Sequence, residues 1–356
     1  MKRISSKPGA SVVIVMIAAL VLLIAAAPAF GATTITGTGA TFPQLLYQQW
    51  ASDYHAATGV QVNYTGTGSG TGQSSIKAGT VDFGASDQPL YQTDLDSSGL
   101  VQFPTVVGGI VAAYNLPGIY SGKLKLTGDV LAKIYLGQIT KWNDKAIKAL
   151  NPRLNLPSNA ISVIYRSDSS GTTWNFTTYL SRVNATWRAK YGAQKTISWP
   201  VGSGGSKSDG VAALVKNNRY TIGYLEYSYA TTGHIAYAQM QNKAKKWVLP
   251  SATSFAAAAA GAAWNWSNRF YTVLANSPGA KSWPMTAATF VLVRQDQKSL
   301  DTGKALLKFW DWGYKNAKAK ADAAFFQFVP MPSSVIAKVE AVWTSLVKNS
   351  GTPCWP

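Results

Sequence analysis

The chain has 356 residues, of which 47% are hydrophobic and 13% charged, with 13 tryptophans. So much apolar side chain with so little charge excludes an intrinsically disordered protein and suffices for one large domain or two ordinary ones. The formal net charge of +18 admits a nucleic acid, a membrane surface or a small anion as partner, or a surface adapted to its surroundings, and alone selects none of them.

The N-terminus has the pattern of a secretory signal. Lys2, Arg3 and Lys7 precede an apolar stretch from Val12 to Ala27, and the small residues Ala27, Ala29, Gly31 and Ala32 offer cleavage points. A membrane anchor is the competing reading. The stretch is shorter than the roughly 20 residues a spanning helix needs, and no positive flank follows it. Residues 1–31 are therefore read as a signal peptide, whose loss leaves a chain of net charge +15. The single cysteine, Cys354, allows no internal disulfide and does not follow the signal as a lipid-modified cysteine would. The expectation is a freely soluble periplasmic protein.

Beyond the signal, short apolar runs alternate with helical periodicity. Thr33–Ile35 reads as a strand, Pro43–Ala57 as a helix with Leu45, Leu46, Trp50 and Tyr54 on one face, and Val60–Tyr64 as a strand. A glycine-rich loop, Gly66 to Gly72, leads to a short helix at Ser74–Ala78 and a strand at Val81–Ala85 that ends in Ser86-Asp87. Val106–Tyr114 reads as a strand, Val130–Leu136 and Asp144–Leu150 as helices, and Ile161–Tyr165 as a strand that runs into Arg166-Ser167-Asp168-Ser169-Ser170-Gly171-Thr172-Thr173. Helix follows at Trp174–Val183, strand at Ile222–Tyr227, helix at Phe255–Ala263 and strand at Phe290–Val293. Amphipathic helices at Gly303–Lys318 and Ser333–Val347 close the chain. This alternation predicts an α/β architecture with largely parallel pairing. The strand-like crossings near Val106–Tyr114 and Met285–Val293 are compatible with two lobes built from discontinuous segments.

Three loops share one chemistry. Gly39-Ala40-Thr41-Phe42-Pro43, Gly66 to Gly72, and Ser167 to Thr173 each offer hydroxyls and backbone amides just before a helix. The first amides of a helix have no internal partner, and the helix dipole makes that end partly positive, so such ends bind oxyanions. Taken singly, the glycine loop is equally a flexible turn, and Ser169–Thr172 an ordinary N-cap. His55 and His234 lack metal-ligand spacing, and neither a nucleophile elbow nor a phosphate-binding Gly-x-x-x-x-Gly-Lys-Ser/Thr loop is present. Scattered lysines without dense basic runs argue against nucleic acid, and the lack of catalytic groups favours binding over catalysis.

The motifs, in order, resemble those of the periplasmic phosphate-binding proteins of ABC transporters. They are Thr36 to Pro43, Val62-Asn63-Tyr64 with Gly66 to Gly70, Val81 to Asp87, Phe103 to Gly109, Ile134 to Gly137, Lys141 to Asp144, Arg166 to Thr173, Ile222 to Tyr227, and Trp283-Pro284 through Phe290. The resemblance implies a type II-like, two-lobed fold with the ligand in the interdomain cleft. Lobe I would comprise residues 32–110 and 286–356, and lobe II residues 111–285. It implies phosphate contacts from Thr41, Phe42, Ser69, Asp87, Arg166, Ser170, Gly171 and Thr172, with Asp168 orienting Arg166. It further implies a monomer without cofactor, metal or catalytic residue, which receives inorganic phosphate and delivers it to the permease and ATPase subunits of an importer. Ser167 and Ser169 stand where the family often has alanine and glycine, and Gly70-Thr71 where Ser-Gly is more usual. A receptor for another oxyanion such as arsenate, or a secreted phosphatase, remains the alternative.

Overall fold

In the computed structural model, which describes residues 33–356, strands and helices alternate as the periodicity requires. The signal-peptide reading of residues 1–31 lies outside the described residues. The first part of the chain runs β1 (Thr34–Gly39), α1 (Gln44–Thr58), β2 (Gln61–Gly66), α2 (Ser69–Lys77), β3 (Phe83–Ser86), α3 (Gln92–Ser98) and the long strand β4 (Leu100–Asn115). The middle adds β5 (Lys125–Leu126), α4 (Gly128–Tyr135), α5 (Lys145–Leu150), β6 (Ser162–Arg166), α6 (Gly171–Val183), α7 (Ala185–Lys190), β7 (Ser203–Gly205), α8 (Lys207–Asn217) and β8 (Thr221–Glu226). It continues through α9 (Tyr227–Thr232), β9 (Ala236–Tyr237), β10 (Gln239–Gln241), β11 (Trp247–Val248) and α10 (Ala252–Ala259). The last part contains β12 (Thr286–Arg294), α11 (Leu300–Lys315), α12 (Ala317–Phe325), β13 (Val329–Pro330) and α13 (Ser333–Leu346).

The main sheet has the order β2-β1-β3-β12-β4-β8-β6-β7, with β13 and β9 also pairing with β4. Its flanks are parallel: β1 pairs with β2 and β3, and β6 with β7 and β8. Its centre is antiparallel, because β12 runs against both β3 and β4, and β4 runs against β8. The largely parallel pairing expected from the alternation thus holds only at the flanks. β4 carries the chain out of the first flank and β12 brings it back, so the two run in opposite directions.

β4 explains both that topology and a misplaced boundary. All of its residues except Asn115 are buried, as a strand covered on both faces requires. Its first part pairs with β12 from Leu100 to Gly109, and its last part with β8 from Ile110 to Asn115. Periodicity starts this strand only at Val106, because Pro104 argues against a central strand. The proline is accommodated by a bulge: the partner of β12 shifts from Val106 to Pro104, and the unpaired Thr105 donates through its hydroxyl to the Thr289 carbonyl at 3.2 Å.

α1 buries Leu46, Tyr47, Trp50, Ala51 and Tyr54, a stripe with helical spacing, and stops at Gly59, whose φ of 75° is the left-handed conformation glycine supplies. The rings of Tyr47, Phe83 and Phe103 meet Trp310 of α11 edge-on, which ties the closing helices to the first flank. The helix expected at Gly303–Lys318 is two helices, broken at Asn316, whose side chain caps α12.

Candidate functional site

The parallel strands carry the site at their C-terminal ends, where α/β sheets bind ligands. β1 ends just before Thr41 and α1, β2 leads into α2, β3 ends at Ser86 beside Asp87, and β6 ends at Arg166 before α6. Every expected contact residue is buried there: Thr41 is 2% exposed, Phe42 0%, Ser69 1%, Asp87 2%, Arg166 3%, Ser170 0% and Thr172 1%.

Three helix N-termini meet in this region. α1 and α2 begin without a side-chain cap, at Pro43 and Gly68. The glycine-rich segment is not a flexible turn. Ser69 starts α2, and Gly72 lies so close to the sheet that a Cβ there would be 2.6 Å from the Ala85 carbonyl oxygen and from Gly39 Cα. α6 is capped by Ser170, whose Oγ accepts from the Thr173 amide at 3.1 Å. The N-capping reading of Ser170 therefore holds, and its own hydroxyl proton is still available to a ligand. α6 touches α2 directly: a Cβ on Gly171 would lie 2.4 Å from Ser69 Oγ and 2.8 Å from Asp87 Cβ.

Arg166 is fixed on several sides. Its Nε donates to Asp168 Oδ1 at 2.7 Å and its Nη2 to Asp168 Oδ2 at 2.5 Å, a bidentate pair. Asp168 also accepts from the Lys207 amide at 3.0 Å. Burial works against the guanidinium charge, yet the hydrogen-bonded Asp168 carboxylate outweighs it and raises the Arg166 pKa. Burial likewise opposes ionisation of Asp168, and Arg166 more than offsets it, so the carboxyl is held below its ordinary range. Nη1 donates to Ser208 Oγ at 3.1 Å, and Ser208 meets Thr41 Oγ1 at 2.7 Å. When Ser208 is the donor of that hydrogen bond, the Thr41 hydroxyl is free to donate elsewhere. One further N–H on each of Nη1 and Nη2 is not used by these bonds.

Asp87 is the unexpected charge in such a place. Thr289 Oγ1 donates to its Oδ1 at 2.7 Å, and Ser69 Oγ to its Oδ2 at 3.3 Å. Desolvation dominates these bonds, and with the nearby Glu226 it pushes the Asp87 carboxyl up to about 7. Glu226 is buried as well, and Thr172 Oγ1 donates to its Oε1 at 2.5 Å. The Thr172 hydroxyl proton is thereby engaged, which leaves its backbone amide as the donor for a ligand. With one arginine among three carboxylates, what this region offers an anion is oriented N–H and O–H dipoles rather than net positive charge.

Four contributors are given no role by the sequence reading. Ser208 lies on α8, a helix the periodicity does not reveal, and Glu226 closes the strand of the Ile222–Tyr227 motif, which assigns it no contact. The Tyr224 hydroxyl accepts from the Arg166 amide at 3.0 Å, and Asn175 Nδ2 donates to the carbonyls of Asp87 and Gly171 at 2.7 and 3.0 Å. All are brought in by tertiary packing; Ser208 also sits in a glycine- and serine-rich run, Gly202 to Gly210, just inside a helix start, a local signal that could have found it.

The two departures at positions 70 and 169 prove to be one. Gly70 donates through its amide to the Ser169 carbonyl at 3.0 Å, and a Cβ on Gly70 would fall 2.3 Å from Ser169 Oγ. The serine side chain occupies the room that the glycine leaves.

Residues 25–316 match the model of the PBP superfamily domain. The phosphate-binding protein PstS of Pasteurella multocida (strain Pm70) is 48% identical over 325 residues, 91% of this chain and 94% of that protein. The phosphate-binding protein PstS of Haemophilus influenzae is 45% identical over 329 residues, 92% of this chain and 98% of that protein. A solved high-affinity periplasmic phosphate-binding protein bound with phosphate shares the fold, with a TM-score of 0.71 at 22% identity, over 90% of this chain and 96% of that one.

Proposed function

We propose, from the premise that this chain belongs to the PstS family of phosphate-binding proteins within the PBP superfamily, how its own residues capture inorganic phosphate for an ABC importer. The fold is the two-lobed α/β fold of periplasmic binding proteins. Our proposed lobes are residues 32–110 with 286–356, and residues 111–285. The exchange of β4 partners between Gly109 and Ile110, and the start of β12 at Thr286, support those boundaries.

The observation that carries the site assignment is the convergence of the α1, α2 and α6 N-termini on buried Arg166 with the Asp87 carboxylate among them. In this reading Arg166 reaches the phosphate with its remaining N–H groups, held in aim by Asp168 and Ser208. Thr41 and Ser170 donate hydroxyls, Ser69 turns to the ligand the hydroxyl that it otherwise gives to Asp87 Oδ2 at 3.3 Å, and Phe42, Gly171 and Thr172 donate amides. Hydrogen bonds to a charged group contribute roughly 1.5–3 kcal/mol each. Several together support the about −8 kcal/mol of micromolar binding.

Asp87 supplies the selectivity. Above about pH 7 Asp87 is ionised while phosphate still carries one proton, which it donates to this carboxylate. Sulfate has none and meets an unpaired like charge. Sites built around a ligand hydroxyl reject analogues that lack it by about 10⁴-fold or more. Arsenate shares the proton, so the same geometry accepts it.

The protein acts by binding and release in the periplasm, reached through its N-terminal signal, as a monomer that delivers its cargo to permease and ATPase subunits. Calorimetric titration of the phosphate-stripped protein, repeated in excess sulfate, tests this. One-to-one binding that sulfate leaves intact is expected. Equal competition by sulfate would reopen the wider oxyanion reading, and turnover of a phosphate ester would reopen the secreted phosphatase.

A further inference from the structure

The net positive charge is confined to one part of the chain. Residues 111–285 hold 20 basic and 5 acidic residues, a net +15, whereas residues 33–110 and 286–356 together hold ten of each. Two of those five acids, Asp168 and Glu226, are taken up in the binding site. The phosphate site thus does not account for the charge, and neither does general adaptation, which would spread it over the whole molecule.

Five of these basic residues gather about a small sheet outside the site. β5 pairs with β10, and β10 with β11. Leu126 and Met240 are fully buried on its inner face. On the outer face Lys125 lies opposite Gln239, and its ammonium sits 5.4 Å from the centre of the Trp247 ring. The β10–β11 turn bears Lys243, Lys245 and Lys246, all exposed, with Lys245 in the left-handed conformation at φ 59°. This turn is rigidly held. Buried Asn242 accepts from the Lys246 amide at 3.0 Å and donates to the carbonyls of Gly279, Ala280 and Ser282 at 3.0–3.1 Å. Lys123 is exposed just before β5. Among the described residues none of these five lysines forms an ion pair. The nearest acid along this part of the chain, Asp129, is paired with Lys133 at 2.7 Å.

Two large apolar side chains project beside the lysines. Tyr120 is 76% exposed and Leu249 48%, two of the four large hydrophobic side chains so exposed among the described residues. They belong to the same surface: a Cβ on Gly122 would lie 2.8 Å from Leu249 Cδ2, and the Lys123 amide donates to the Tyr120 carbonyl at 3.1 Å. Tyr120 is also anchored, its carbonyl accepting from the Tyr114 hydroxyl at 2.6 Å.

We infer that this face is a peripheral docking surface for an anionic lipid bilayer. Lysines on a rigid turn address the lipid phosphates, while Tyr120, Leu249 and the half-buried Trp247 enter the interfacial zone that accepts amphipathic rings and aliphatic tips. A stack of bases would use aromatic platforms set along a groove, and exposed Leu249 adds nothing to such a surface. Charge attraction combined with shallow insertion is the two-part signal that reversible membrane attachment requires.

Co-sedimentation with vesicles of phosphatidylcholine alone, and of phosphatidylcholine mixed with phosphatidylglycerol, tests the inference. The protein should sediment with the mixed vesicles only, and less so as salt is raised, because the attraction falls off within about 10 Å at 0.1 M salt. The triple variant Lys243→Gln, Lys245→Gln, Lys246→Gln should lose on the order of a hundredfold in partitioning, about fivefold for each lysine, with phosphate affinity unchanged. The pair Tyr120→Ser and Leu249→Ser should weaken binding while keeping its salt dependence. Equal sedimentation with both vesicle types, or a triple variant that binds like its parent, would overturn the inference. So would duplex DNA bound more tightly than the mixed vesicles through the same lysines.

Discussion

A carboxylate buried among anion ligands costs stability while the site is empty. Asp87 has a folded pKa of about 7 against an ordinary 3.8, so between those values the ligand-free fold keeps a proton that the unfolded chain releases. The contribution of this group is fully present below the unfolded value and is lost as pH rises through the folded one. Denaturant unfolding of the phosphate-free protein should therefore show stability falling from about pH 4 to pH 7, and Asp87→Asn should flatten that fall. The same variant should narrow the preference for phosphate over sulfate; an unchanged ratio would remove Asp87 from its selective role. Ser208→Ala tests the other end of the site. It deprives Arg166 Nη1 and Thr41 Oγ1 of a shared partner, and loss of one such bond, about 1.5 kcal/mol, lowers phosphate affinity roughly tenfold. The residues that resemblance assigns to the ligand are the legible ones, because they sit in short glycine- and hydroxyl-rich segments whose chemistry is local. Glu226 and Tyr224 were illegible as site groups because strand β8, though part of a family motif, places their side chains only through tertiary packing, whereas Ser208 sits in the glycine- and serine-rich run Gly202 to Gly210, a local signal that a reading by period passes over.

At the scale of elements, the contact between α2 and the segment before α6 turns on one exchange of side-chain volume. A serine at position 70 would collide with Ser169, since its Cβ would fall 2.5 Å from Ser169 Cβ. Gly70→Ser alone should destabilise the protein by about 1–3 kcal/mol, as overpacking does. Adding Ser169→Gly should recover most of that loss, and thermal unfolding of the two single variants and the double variant measures the coupling. If the double variant were no better than Gly70→Ser, the two positions would not share one space. The elements themselves were largely readable from period and caps. What misled was local chemistry overridden by packing. Pro104 is absorbed by a bulge inside β4, and in α2 Gly72 serves close approach to β1 and β3 and Gly70 makes room for Ser169, rather than flexibility. The antiparallel centre was not readable, since the alternation of strand and helix does not record which way a returning strand runs.

Across the whole molecule, several hydrogen bonds join the proposed lobes around the site. Asn175 Nδ2 reaches the Asp87 carbonyl at 2.7 Å, the Gly70 amide the Ser169 carbonyl at 3.0 Å, and Lys195 Nζ the Gln73 Oε1 at 2.5 Å. Lys195 touches none of the assigned ligand groups through its side chain, so Lys195→Ala should loosen closure alone. Phosphate and sulfate affinities should fall together by a few-fold, with their ratio unchanged, in contrast to Asp87→Asn; calorimetry with both ions separates the two effects. The near-complete burial of Thr41, Phe42, Asp87 and Arg166 also sets a clock. In the proposed site an ion enclosed to that degree would leave only on opening of the protein, so its residence time would have a floor set by the opening rate, however weak its bonds become. In a chase experiment, variants that weaken those bonds should release phosphate faster only up to that common limit. Handover to an importer then amounts to a partner catalysing the opening.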